Sequence, residues 1–161
     1  MPASRAGASD NPGVVIRPPL LYLGGLIALV VLRWVWPTPI LANASLALDA
    51  GIALGVVALA LGLWAVVTMR SAGTNVDPTR ESTTIVMAGP FRYTRNPIYV
   101  GFDLLFVGVT LALNDWWGLV VLVPLLVVMH VGVIRREERY LERKFGGDYL
   151  RYKYDVARYV G

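Results

Sequence analysis

The sequence predicts an all-α integral membrane protein of about four transmembrane helices, with a cytoplasmic loop and a helical C-terminal tail. Three observations carry that expectation. Hydrophobic residues make up 56% of the 161, and the mean hydropathy of +0.56 exceeds that of ordinary soluble domains. The apolar residues gather into four blocks, 20–36, 46–69, 98–113 and 117–134. At a rise of about 1.5 Å per residue, such blocks cross a hydrocarbon core of about 30 Å, the third only marginally. The 15 Lys and Arg are also unevenly placed: two precede the first block, four lie between Arg70 and Arg95, and eight follow from Arg135 onward, leaving Arg33 by itself. The positive-inside rule then makes both termini and the 70–97 connection cytoplasmic, in a multi-pass protein of the cell (inner) membrane.

The chain reads as one domain. Residues 1–18 form a flexible lead. The first block follows Arg5 and Arg17, and Ala42-Asn43-Ala44 behind it imitates a signal-peptide cleavage site. Its apolar run is longer than a signal core and a second span follows, so it is read as retained. In the 70–97 connection Gly73, Pro78, Gly89 and Pro90 break helix, and Thr83 to Met87 is a short β-branched run suited to one extended piece. A connection this long within a compact protein is usually functional. The 135–161 tail is charged and aromatic.

Asn96-Pro97 starts the third span, because asparagine is a good N-cap and proline is favoured at the first helical position. Carried into the helix, Asn96, Tyr99, Asp103 and Phe106 recur at intervals of three, four and three and lie on one face. An ionisable group within a span faces protein or water, which makes Asp103 a candidate site residue; pairing with an arginine near the interface is the alternative. In the fourth span His130, Ile134, Glu137, Leu141 and Phe145 recur at four, three, four and four, so helix continues past Arg135 with His130 and Glu137 on a shared side. A single histidine is more often an interior side chain than a catalyst, and the mixed Glu and Arg of the tail also suit a solvated helix face.

There are no cysteines, which removes disulfides and thiolate metal sites, and no metal is expected. The net charge of +4 matches anionic lipid headgroups and requires no nucleic acid.

The stretches "GPFRYTRNPIYVG" and "REERYLERKFGGDYLRYKYDVARY" together resemble the isoprenylcysteine carboxyl methyltransferase family and the related phospholipid N-methyltransferases. The matching positions are Arg95-Asn96-Pro97-Ile98-Tyr99, then Glu137-Glu138 with Leu141, Phe145-Gly146, Tyr149 and Tyr152, and "AGTNVDP" ahead of them is similar to bacterial members. The resemblance implies an integral membrane enzyme using S-adenosylmethionine in a cytoplasm-facing cofactor pocket covered by the loop and the helical tail, to which Asn96, Tyr99, Glu137 and Glu138 contribute. Asn96 stands where the eukaryotic prenylcysteine enzymes carry histidine, which puts a prenylcysteine acceptor in doubt.

Within that chemistry Tyr93, Tyr99 and Tyr149 are candidates to hold a sulfonium by cation–π attraction. Arg92, Arg95 and Arg136 are candidates to hold a headgroup or the cofactor carboxylate, with Tyr149 and Tyr152 on the acceptor side. Asp103, His130 and Glu137 are candidate bases for an amine or hydroxyl acceptor, with Asp103 and His130 the catalytic candidates, whereas a carboxylate or thiolate needs none. Expected partners are membrane lipids and a lipophilic or small methyl acceptor. A non-enzymatic membrane adaptor and a small four-helix transporter are the alternative classes.

Overall fold

A computed structural model describes residues 11–159, so the first ten residues of the expected flexible lead lie outside the described residues. Helix α1 spans Pro18–Val35, α2 Ala44–Ser71, α3 Pro97–Leu113, α4 Trp117–Val128, α5 Arg135–Phe145 and α6 Gly147–Asp155. A π-helical stretch, Met129–Ile134, joins α4 to α5 in one continuous rod. No strand occurs among the described residues, and the expected extended piece at 83–87 is irregular chain leading to a 3-10 turn at Gly89–Arg92.

Three helices, α1, α2 and the Trp117–Phe145 rod, are long and apolar enough to cross a membrane, while α3, at 17 residues, is a shorter apolar helix. The shortfall in α3 reflects its start at Pro97 and its stop at Asn114, where a left-handed φ of 51° ends the helix. Apolar side chains such as Leu20, Ile27 and Trp34 on α1 and Val56, Leu59 and Leu63 on α2 point outward. That is the arrangement of helices whose solvent is hydrocarbon.

Helices α2 and α3 are in backbone contact. A β-carbon on Gly51 would sit 2.4 Å from the Ala112 nitrogen and 2.5 Å from the Gly108 carbonyl, so only glycine fits there. Small residues at such a contact replace the hydrophobic drive that lipid removes. On the other side α1 packs against α3 and α4 through Tyr22, Leu29, Phe106 and Leu125.

At one end of the bundle the α3–α4 turn holds the 36–43 connection. The Asp115 side chain is fully buried and accepts from the Thr38 amide at 3.0 Å, the Thr38 hydroxyl at 2.9 Å and the Trp117 amide at 3.1 Å, with Arg33 at 3.5 Å. This accounts for Arg33, the cation separated from the others in sequence. All remaining described basic residues except Arg17 lie in the 70–96 connection or beyond residue 134. These lie at or after the C-terminal ends of α2 and the long rod, which puts the charged material at the opposite end.

Candidate functional site

The site forms where α3 begins and α5 leaves the π stretch. Pro97 occupies the first turn of α3 as expected, but Asn96 does not cap the helix with its side chain. Its amide nitrogen donates instead to the Arg158 carbonyl at 2.9 Å, which also accepts from the Thr94 hydroxyl at 3.1 Å. The Arg95 amide donates to the Ala157 carbonyl at 3.0 Å. Residues 156–159 are thereby strapped across the start of α3.

One turn into α3 the Tyr99 hydroxyl donates to Glu137 Oε2 at 2.7 Å. Next to it Glu138 receives two bonds from Arg158, Nε at 2.9 Å and Nη2 at 2.7 Å, the forked geometry that carboxylates favour. Arg95 Nη1 approaches Glu138 Oε1 to 3.2 Å, and both side chains are only 7% exposed. The approach is an ion-pair distance without the direction of a hydrogen bond: Arg95 Nε and Nη1 are buried and have no hydrogen-bond partner. Two guanidinium groups thus share one carboxylate, and two of the three nitrogens of the Arg95 guanidinium make no hydrogen bond. Buried polar groups are nearly always satisfied, so an orphan of this kind calls for an explanation.

Arg95, Asn96, Glu137, Glu138, Tyr149 and Tyr152 border one small, partly open cavity of about 60 Å³, completed by Thr74, Ser82, Thr84 and Ile85 of the 72–88 connection. Burial pushes the Tyr149 and Tyr152 phenols well above their usual range, so both stay neutral donors at physiological pH. Tyr152 spends its proton on the Phe91 carbonyl at 2.8 Å. The connection is fastened over the cavity by the Ser82 amide on the Tyr140 hydroxyl at 3.2 Å and by Lys144 on Glu81 at 2.5 Å.

Asp103 and His130 lie elsewhere. They line an open, largely apolar groove of about 510 Å³ with Val100, Leu126, Val127, Val131 and Tyr159. The Tyr22 hydroxyl donates to Asp103, and His130 Nδ1 is 2.6 Å from the Tyr159 hydroxyl. The expectation that His130 and Glu137 share a side is therefore corrected. The π stretch between them adds residues to the turn, so the constant helical phase assumed from the spacing is lost and the two point into different spaces.

Of the other candidates, Tyr93 is 67% exposed and borders neither space. Arg92 is exposed and lines a separate open cleft. Arg136 is exposed and donates to the Gly13 carbonyl at 3.0 Å. Sequence spacing missed Tyr22, Arg158 and Tyr159, each of which meets its partner across 20 or more residues. Among the described residues no cluster of His, Asp or Glu is placed to hold a metal ion.

A bundle of apolar helices with charged side chains gathered around a cavity at one end is the architecture of a multi-pass membrane protein. Residues 46–148 match the phospholipid methyltransferase family, PEMT, and the chain belongs to that family. It is accordingly a membrane methyltransferase. An uncharacterized protein of Haemophilus influenzae (strain ATCC 51907 / DSM 11121 / KW20 / Rd) is 36% identical over 66 residues, 39% of this chain and 100% of that protein. No solved structure matches the chain.

Proposed function

We propose that the protein transfers a methyl group from S-adenosylmethionine to a lipophilic or small acceptor at the cytoplasmic face of the membrane, in the manner of the isoprenylcysteine carboxyl methyltransferases. The observation that carries this reading is Arg95, a buried guanidinium with open Nε and Nη1 donors on the wall of a cavity that also holds Glu137 and Glu138. A guanidinium next to carboxylates fits a zwitterionic amino-acid group, the carboxylate toward Arg95 and the ammonium toward the glutamates.

The cofactor supplies a sulfonium methyl group that a nucleophile displaces in line. The chain supplies position and dryness, which account for much of the rate of such a displacement. Arg95 orients the carboxylate end, and Asn96 and Glu138 hold the strap that keeps Arg95 in place. Tyr99 fixes the Glu137 carboxylate, and the Tyr149 ring offers an aromatic face to positive charge. The Asp103–His130 groove suits the apolar part of an acceptor, because its walls are Val100, Leu126, Val127 and Val131. Asp103 or His130 then takes a proton from an acceptor amine or hydroxyl, while an acceptor carboxylate or thiolate uses neither.

The direct test is incubation of purified protein with methyl-labelled S-adenosylmethionine and a membrane lipid extract. Label in an extracted lipid or small molecule is the expected outcome. Absence of label transfer together with absence of S-adenosylhomocysteine binding removes the reading and returns the adaptor and transporter classes.

A further inference from the structure

The cavity at Arg95 is too small for a whole nucleoside–sulfonium molecule. Its roughly 60 Å³ is room for about five waters at some 10–15 Å³ each, whereas ligand pockets run to hundreds of cubic ångströms. Directly beyond one of its walls lies an open cleft of about 630 Å³. The two spaces share Thr84, Ile85 and Tyr152.

We infer that these are two compartments of one binding site: the small inner cavity takes the amino-acid end of the nucleoside–sulfonium ligand, the open cleft takes its nucleoside, and Ile85 is the movable partition between them. This rests on the cofactor reading given above and adds where the second half of the ligand sits and what must move to admit it.

The outer cleft has the side chains for a nucleoside. Asp148 and Asp155 on α6 offer carboxylates to the hydroxyls of a ribose, the interaction by which acidic residues hold ribose in dinucleotide sites. Phe145 and the guanidinium groups of Arg92 and Arg151 offer flat surfaces for a purine. No ion pair involving Arg92, Asp148, Arg151 or Asp155 is present among the described residues. The inner compartment presents the complementary demand, the more than nine-tenths buried Arg95 with two orphan nitrogens.

Of the shared walls, Tyr152 is fixed by its bond to the Phe91 carbonyl. The chain on the other side is pinned before the partition, at Ser82 and Thr83, and after it by Val86, which packs on Ala65 and Phe91. Thr84 and Ile85 themselves make no hydrogen bond to any described residue. Rotating the Ile85 side chain therefore joins the compartments without breaking a polar contact, and the movement is local.

The experiment uses the full chain in lipid nanodiscs and two probes. S-adenosylhomocysteine carries both halves, and 5′-methylthioadenosine carries the nucleoside without the amino acid. On Arg95→Gln the affinity for S-adenosylhomocysteine should fall about tenfold while that for methylthioadenosine holds, the loss of one charged hydrogen-bonded contact. On the double variant Asp148→Asn, Asp155→Asn both probes should weaken by a similar factor. Ile85→Ala should raise the association and dissociation rates of S-adenosylhomocysteine together, with little change for methylthioadenosine. Unchanged binding of both probes to the double aspartate variant overturns the outer compartment, and unchanged rates in Ile85→Ala overturn the partition. Failure of wild-type protein to bind S-adenosylhomocysteine overturns the cofactor reading and the present inference with it, a result distinct from either. Retained melting temperatures separate these effects from misfolding, and all but Arg95 are side chains outside the helical core.

Discussion

Tyr99 and Glu137 are 38 residues apart and meet in a 2.7 Å hydrogen bond that ties the first turn of α3 to the first turn of α5. The tyrosine is buried, so in Tyr99→Phe the carboxyl loses its donor in a place with little water to replace it. We expect Tyr99→Phe to cost about 1–3 kcal/mol of stability and to lower turnover disproportionately, because a misplaced Glu137 misaligns the ligand. A double-mutant cycle with Glu137→Gln should return a coupling of about 1 kcal/mol or more by thermal melting. Additive losses, with methyl transfer intact, would assign Tyr99 to packing alone.

The groove proposed for the acceptor makes a separate expectation for Asp103. Asp103→Asn keeps the shape and the Tyr22 contact but removes proton affinity. If the acceptor gives up a proton, turnover should drop by about 10²-fold or more, with S-adenosylhomocysteine affinity unaltered. His130→Gln and Tyr159→Phe, measured beside it, show which side of the groove takes the proton. Full activity in all three would mean an acceptor that arrives already ionised.

Asp115 sets an acid limit on stability. Burial alone would push its carboxyl up, but the donors from Thr38 and Trp117 and the charge of Arg33 outweigh burial and hold it below the usual carboxylate range. A carboxylate with a depressed folded value contributes stability above its unfolded pKa of about 4 and loses that contribution as pH falls through the depressed value. Melting temperature should therefore decline on acidification below about pH 4 in the wild type and less steeply in Asp115→Asn. Asp115→Ala should cost about 1–3 kcal/mol at neutral pH, since it strands the half-buried Thr38 and Trp117 donors. Equal acid profiles in wild type and Asp115→Asn would dismiss the role.

Gly51 is a test of the α2–α3 contact. With backbone atoms of Ala112 and Gly108 under 3 Å from any added β-carbon, relief requires the helices to separate. Gly51→Val should destabilise by about 1–3 kcal/mol or more, whereas Gly24→Val, with nothing near its β-carbon, should be mild. Comparable melting of the two variants would argue against the contact.

The topological expectation needs only cysteine labelling, as the chain has no cysteine of its own. Single cysteines at Asn43 and Ser71, both exposed and at opposite ends of α2, should react with an impermeant reagent from opposite sides of the membrane, Ser71 from the cytoplasmic side. Labelling from one side would reject the spanning of α2.

Much of this protein follows from local chemistry that the sequence by itself determined. Apolar blocks long enough to span a bilayer became α1, α2 and the Trp117–Phe145 rod, Pro97 set the start of α3, and the Arg95–Tyr99 and Glu137–Glu138 stretches belong to one end of the bundle. Those are properties of neighbouring residues: hydropathy, helix-starting geometry and motif order. Tertiary structure alone decided which side chains meet. The π stretch turned His130 away from Glu137, because spacing assumes a constant turn and an irregular turn resets every face beyond it. Asn96 gave up its cap to bind the Arg158 carbonyl, Tyr22 found Asp103 across 81 residues, and Arg158 closed on Glu138. Periodicity names the face on which a polar group lies; its partner depends on how helices distant in sequence pack, and in a dry interior that pairing decides where charge is tolerated and which donors, like Nε and Nη1 of Arg95, are left without a hydrogen bond.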